Sequence, residues 1–178
     1  MKNGNGQGHG TLEQALCLIP ESVYVLTSAT EHTRRGMLVS WVQRCSMTPP
    51  MVMLALPIGQ SIEPTILESR SFALCQLSAE NRFLLRRFAD AMESQDDPFF
   101  ATSSRQAPSG APIIDNAVAY LDCALVRHLD LESGCGIYIG EVKHGAVLHD
   151  DAPSIRIGLN GNMPMIQGKP GAMGGDGE

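Results

Sequence analysis

The apolar positions of this chain recur with two different periods. Leu12, Ala15, Leu16 and Ile19 are spaced for one face of a helix, opened by the capping box Thr11-Leu12-Glu13-Gln14 and stopped by Pro20. The pattern then turns β-rich. Val23 to Ala29 predicts a strand, Glu31 to Arg35 a polar turn, and Gly36 to Ser46 a second strand. Pro49-Pro50 breaks the chain before Met51 to Leu56, a third and strongly apolar strand. Ser61 with Pro64 beyond it predicts a short helix through Glu68, and Phe72 to Leu77 another strand. Helical spacing returns over Ser78 to Met92, carried by Phe83, Leu84, Arg87, Phe88 and Ala91. Gln95 to Ala111 is polar, contains proline and has the length of a functional loop. Ala117 to Leu131, Gly136 to Val142, Ala146 to Leu148 and Ile155 to Leu159 predict strands joined by short turns.

These segments make about seven strands and two or three helices without regular alternation, which disfavours a doubly wound parallel sheet. They predict a mainly β fold with flanking helices: a small antiparallel barrel whose open edges the helices cover. Half of the 18 glycines lie in two terminal segments with almost no apolar periodicity. Residues 1–10 and the Gly-rich 167–178 therefore read as flexible tails around one folded domain, 11–166.

Composition narrows the function classes. With 178 residues, 43% of them hydrophobic and 18% charged, the chain suits one folded domain with a real core. A net charge of −6 argues against a nucleic-acid or anionic-membrane partner, and the basic pairs Arg34-Arg35 and Arg86-Arg87 do not overturn it. No apolar run approaches the roughly 20 residues of a membrane span, and the first residues lack a secretory pattern. Five cysteines (Cys17, Cys45, Cys75, Cys123 and Cys135) are scattered without a C-x-x-C, which reads as a reduced cytoplasmic protein.

The familiar catalytic signatures are missing. There is no G-x-G-x-x-G after a strand, no phosphate-binding G-x-x-x-x-G-K-S/T and no G-x-S-x-G. His144, His149, Asp150 and Asp151 form a loose cluster whose spacing matches no metal geometry; a solvated hairpin end is the preferred reading. Cys135 lies between glycines with no basic neighbour to lower its pKa, and His128 reads as a structural histidine. Phe99-Phe100 either covers a ligand or anchors its loop; the sequence leaves both open.

The segment Gly36 to Ser46 stands out. Ser40 and Ser46 interrupt an apolar stretch, the single tryptophan, Trp41, lies between them, and Arg44 follows. Because side chains alternate along a strand, Ser40, Gln43 and Arg44 share one face only if the strand bulges. Such a segment either offers hydroxyls, a guanidinium and backbone donors to a phosphorylated planar ligand, or simply turns its polar groups to solvent.

Read in order, these residues resemble the flavin reductase-like, FMN-binding split-barrel family. Val23-Tyr24-Val25-Leu26-Thr27-Ser28 resembles its first barrel strand. Gly36 to Ser46 with Pro49-Pro50 resembles its flavin-cradling strand, in the Ser-Trp-Val form of the flavoredoxin-like subgroup. Met51 to Leu56, Phe72 to Leu77 and Arg86-Arg87-Phe88 follow in register. So do Ala111-Pro112-Ile113-Ile114, Ala119 to Cys123, and Ile139-Gly140-Glu141-Val142, similar to a late "I-G-x-V" strand.

The resemblance implies a Greek-key barrel, a homodimer and FMN or FAD held near the subunit interface, with NADH or NADPH as electron donor. A redox partner protein is the alternative source of electrons, and loss of flavin binding a third reading. The flavin ring would lie against Leu38, Val39, Ser40 and Trp41. Ribityl and phosphate contacts would fall on Arg44, Cys45, Ser46, Gln60 and Ser61, the last two helped by free N–H groups before a helix. The chain departs from the pattern in two places. Glu132-Ser133-Gly134-Cys135-Gly136 stands where many members carry Gly-Asp-His, and Pro57-Ile58-Gly59 where many carry a basic residue or Asn. Both departures point away from efficient nicotinamide-dependent turnover and the usual phosphate grip.

Overall fold

Gly36 to Ser46 forms two strands instead of one. In the computed structural model, which describes residues 11–16, 18–78, 80–90, 97–149 and 156–157, the chain breaks at Ser40–Trp41 between β3 (Arg34–Val39) and β4 (Val42–Met47). The other elements, in chain order, are α1 (Leu12–Leu16), β1 (Glu21–Ser22), β2 (Tyr24–Ala29), β5 (Pro50–Pro57), α2 (Glu63–Ser69) and β6 (Ser71–Gln76). They continue with α3 (Arg82–Asp90), β7 (Ser104–Gln106), β8 (Pro112–Ile114), β9 (Ala119–Leu131), β10 (Cys135–Val147) and β11 (Arg156–Ile157). The expected tails, 1–10 and 167–178, lie outside the described residues.

Seven strands form one antiparallel sheet in the order β3-β2-β6-β9-β10-β5-β4. Its two edges, β3 and β4, are consecutive in the chain. In a flat sheet the edges would stand roughly 29 Å apart, six strand spacings. The link from Val39 to Val42 reaches at most about 11 Å. The sheet must therefore curl until its edges meet, and no hydrogen-bonded ladder joins β3 to β4. The result is a split barrel, the fold class expected from the sequence.

Two cores lie back to back. The barrel interior holds Leu26, Val39, Val52, Leu54, Leu56, Phe72, Leu74 and Tyr138, with Ile62 and Ile66 of the α2 region closing it. On the other side of β2 and β6, Val25, Leu38, Cys75 and Leu77 pack against Leu84 and Phe88 of α3, Phe99, and Ile113 and Ile114 of β8. Alternation explains the division: Val25 faces one core and its neighbour Leu26 the other. Thr27 Oγ1 donates to the Pro112 carbonyl at 2.6 Å, fastening β8 to β2.

Several boundaries differ from those predicted. Gly136 to Val142 and Ala146 to Leu148 are one long strand, β10, which absorbs irregular spacing through bulges at Ile139/Gly140 and Val142/His144. The expected loop Gln95 to Ala111 contains β7, and Phe99 is its anchor: its ring meets Phe88 edge-on at 5.4 Å, while Phe100 is exposed. Phe83 is exposed and lies beneath Arg87 instead of joining the core face of α3. Leu12 and Leu16 of α1 are also exposed.

Candidate functional site

The crossing at Ser40–Trp41 is held by main-chain bonds. Val42 N–H donates to the Ser40 carbonyl at 2.8 Å, a tight turn, and Ala55 N–H donates to the Trp41 carbonyl at 3.0 Å. Among the described residues β3 pairs only with β2, so alternate N–H and C=O groups along its other side have no strand partner there. This open edge, the turn and the face of β4 form one continuous surface beside the split.

The nominated residues divide by what they can offer there. Leu38 and Val39 are buried in opposite cores, which leaves only their main chain for a ligand. Ser40 is half-buried, and the Trp41 indole is 54% exposed, unusual for the single tryptophan of a domain. On β4, Arg44 lies opposite Val52 and Ser46 opposite Met51, so Cys45 is the extra residue of a bulge. It lies beyond Arg44 and so does not bring Ser40, Gln43 and Arg44 to one face: Gln43 and Arg44 pair in unbroken register with Met53 and Val52 and alternate, and Ser40 lies outside β4. Arg44 and Cys45 are exposed and Ser46 half-buried.

The second nominated group is differently placed. Gln60 and Ser61 follow β5 beyond Pro57, five residues along that strand from Val52, the partner of Arg44, or roughly 17 Å by strand rise. The register thus sets Arg44–Ser46 and Gln60–Ser61 on either side of Trp41 and does not gather them at one point. The expectation of a free amide at Gln60 is corrected: its N–H donates to Glu63 Oε1 at 2.8 Å. Glu63 opens α2, where Ile62 supplies no side-chain cap, so the carboxylate reaches back to the exposed amide and leaves less there for an anion.

The hairpin that replaces Gly-Asp-His packs against the same loop. Ile58 N–H donates to the Gly134 carbonyl at 2.9 Å, and Cys135 pairs with Pro57. Glu132, Ser133 and Gly134 close the β9–β10 hairpin with Gly134 at φ +81°, a left-handed position that a three-residue loop of this kind assigns to glycine. Inside the barrel near this tip, His128 stacks on Tyr138, with ring centroids 4.3 Å apart, and its Nε2 lies 3.0 Å from Asp130. Burial, then the charges of Glu63 and Asp130, push the Tyr138 hydroxyl above its usual range. Gly136 makes room for the stack, since a Cβ there would stand 3.1 Å from His128 Nε2. His128 was expected to be satisfied structurally; it is packed on Tyr138, but its buried Nε2 and the Tyr138 hydroxyl have no hydrogen-bond partner among the described residues, and the sequence carried no signal for the aromatic partner.

Among the described residues no group of three or more His, Cys, Asp or Glu side chains is placed to hold a metal. His149 of the loose cluster contacts the Asp115 carbonyl at 3.1 Å; Asp150 and Asp151 lie outside the described residues. No helix among the described residues is long and apolar enough to cross a membrane.

The donor set at the split suits a flavin: main-chain amides and carbonyls for the polar edge of the ring, an exposed indole, hydroxyls and one guanidinium. The chain is similar to putative diflavin flavoprotein A 4 of Nostoc sp. strain PCC 7120, with 30% identity over 78% of this chain and 24% of that protein. It is also similar to diflavin flavoprotein A 1 of Synechocystis sp. strain PCC 6803, with 28% identity over 76% of this chain and 24% of that one. It thus spans about a quarter of the length of these relatives. Among solved structures, the NADH:FAD oxidoreductase SgcE6 of Streptomyces globisporus C-1027 superposes with a TM-score of 0.74 at 26% identity, covering 83% of this chain and 87% of that one. BorF, the flavin reductase component of a bacterial two-component tryptophan halogenase, shares the fold at TM-score 0.73 and 21% identity, covering 83% and 91%. The family described as "Flavin reductase like domain" matches residues 16–166, and the chain belongs to it.

Proposed function

We propose that this chain is a flavin-dependent oxidoreductase that takes reducing equivalents from NADH or NADPH and holds FMN, or FAD, at the split between β3 and β4. The observation that carries this reading is the crossing itself: an open strand edge, a tight turn and a half-exposed tryptophan meet where the barrel is not closed by hydrogen bonds. The main chain of Leu38–Trp41 would hold the ring's polar edge, with Arg44, Cys45 and Ser46 on one flank of Trp41 and Gln60 and Ser61 on the other. A bound flavin would supply the hydride and electron chemistry, so the protein's task is to bind, orient and shield. No acid–base pair is required of the side chains.

A homodimer fits the same surface. The outer face of β9, β10 and β5 carries Leu129, Ile137, Ile139, Met53 and Ala55 beside Trp41, an apolar patch that a second copy would cover. This proposal includes a reduced, cytoplasmic setting, with which the four free described cysteines are compatible.

A second reading, an electron-transfer module served by a redox partner protein, is favoured by one observation. The hairpin tip at Pro57–Ile58 presents Cys135 and no histidine. The experiment is the visible spectrum of the purified protein, followed by NADH and NADPH oxidation with added FMN or FAD. Flavin bands with nicotinamide turnover support the reductase. Flavin bands with background turnover support the module. A colourless protein that leaves flavin fluorescence unquenched rejects both and reduces the chain to a barrel that has lost its cofactor.

A further inference from the structure

The Arg34-Arg35 pair, which the net charge of the chain made unremarkable, lines a cavity. About 500 Å³ in volume, it lies where the turn between β2 and β3 meets β7 and the turn before β8. That end of β3 is opposite to Ser40–Trp41, so the cavity is separate from the proposed flavin surface. Its volume falls within the range of small-molecule sites.

Three arginines from two hairpins line it: Arg34, Arg35 and Arg105. Two of them are held in place. Arg34 donates through Nε and Nη2 to Asp97 at 2.9 and 2.6 Å, and its guanidinium lies over the Phe99 ring at 5.3 Å. Arg105 donates to Asp115 at 2.5 Å and lies over Tyr120 at 5.7 Å. Each of these contacts uses part of a five-donor fork and leaves further N–H groups to bind. Arg35 is different. It is half-buried and has neither hydrogen bond nor ion pair among the described residues. A guanidinium removed from part of its water without a partner is costly, and an anion in the cavity would offset that cost. His32, Thr30 and Gln106 add polar groups to the same wall, and Glu31 adds one carboxylate, which the three guanidiniums outnumber.

We propose that this cavity is an anion site for the phosphate group of a small phosphorylated ligand. One anchored carboxylate already meets each of Arg34 and Arg105. The uncompensated Arg35 beside their remaining donors suits an oxyanion with several acceptor atoms, which phosphate provides.

The test is calorimetric titration of the full chain at low ionic strength, first with inorganic phosphate and then with 5′-AMP, with and without saturating riboflavin. Saturable binding that riboflavin does not compete away, and that Arg35→Gln weakens roughly tenfold or more, is the expected result. Tighter binding of AMP than of phosphate would assign the site to a phosphorylated compound; equal binding would assign it to the free ion. No saturable heat, equal affinity in Arg35→Gln, or competition by riboflavin would overturn the proposal. Should Arg35→Gln fail to fold, amide chemical shifts of the unaltered protein decide. Phosphate-induced shifts gathered at Thr30–Arg35 and Ser104–Gln106 uphold the site, and their absence there rejects it.

Discussion

The Trp41 carbonyl accepts a hydrogen bond from the Ala55 amide at 3.0 Å, and this bond fixes where the chain leaves one edge of the sheet and starts the other. Because the bond uses main-chain atoms, the indole is not needed to hold the crossing. It is 54% exposed and free to serve a ligand. Trp41→Ala is therefore expected to weaken flavin binding about tenfold while leaving the melting temperature close to that of the parent. Quenching of flavin fluorescence measures the first and circular dichroism the second. Undiminished flavin affinity would remove Trp41 from the site.

Gly140, the glycine of the Ile139-Gly140-Glu141-Val142 segment, lies against the Phe72 ring. A Cβ built at Gly140 would stand 2.5 Å from Phe72 Cζ and 3.0 Å from Cys123 Cβ. Phe72 is fully buried, so its ring cannot swing out to solvent. Gly140→Ala should cost about 1–3 kcal/mol by overpacking, and Phe72→Leu in the same chain should recover part of that loss. Urea denaturation of the two single variants and the double variant tests this. Additive losses would show that the two residues do not share the space.

The four described cysteines should separate into two classes. Burial pushes the Cys75 thiol up to about 12, against a lowering contribution from the Ile114 amide, and burial likewise pushes Cys123 up to about 12. Cys45 is exposed and Cys135 half-exposed. In native protein at pH 8, iodoacetamide should modify Cys45 and Cys135 and spare Cys75 and Cys123 until denaturant is added. Peptide mass mapping reads this directly, and early alkylation of Cys75 or Cys123 would contradict the packing described.

Acid should weaken the ends of the two hairpins. Partial burial pushes the Asp97 carboxyl up, but the hydrogen bond from Arg34, the Phe99 amide and the charges of Arg34 and Arg87 outweigh it and hold the group below the usual carboxylate range. The Ser103 hydroxyl, against a small burial penalty, and then Arg105 hold Asp115 down as well. Both pKa values are lower folded than unfolded. Their contribution is complete above the unfolded value of about 4 and is lost as pH falls through the folded values. The paired variant Asp97→Asn/Asp115→Asn should therefore show a flatter melting-temperature profile below about pH 4 than the parent. Parallel profiles would mean the pairs add nothing in that window, which their exposure to solvent makes the competing effect.

Much of the fold was legible in local pattern. Val23 to Ala29, Met51 to Leu56 and Phe72 to Leu77 became β2, β5 and β6 with boundaries shifted by a single residue, because short apolar runs bounded by polar residues or proline mark strands buried on one or both faces. The polar residues at 40, 44 and 46 marked the unusual segment for a related reason: hydroxyls and a guanidinium interrupt a pattern that packing alone would keep apolar.

What local pattern did not carry was any relationship between strands distant in the chain. A β-rich stretch from Gly36 to Ser46 reads the same whether it is one strand or two, and only the curl of a seven-stranded sheet places its halves on opposite edges. The same holds for Arg35, whose environment depends on a hairpin some seventy residues later. The sequence by itself determined which residues seek burial and which can donate or accept, since those are properties of side chains and their nearest neighbours. Only tertiary structure decided which donors remain without partners, because that depends on what the folded chain brings beside them.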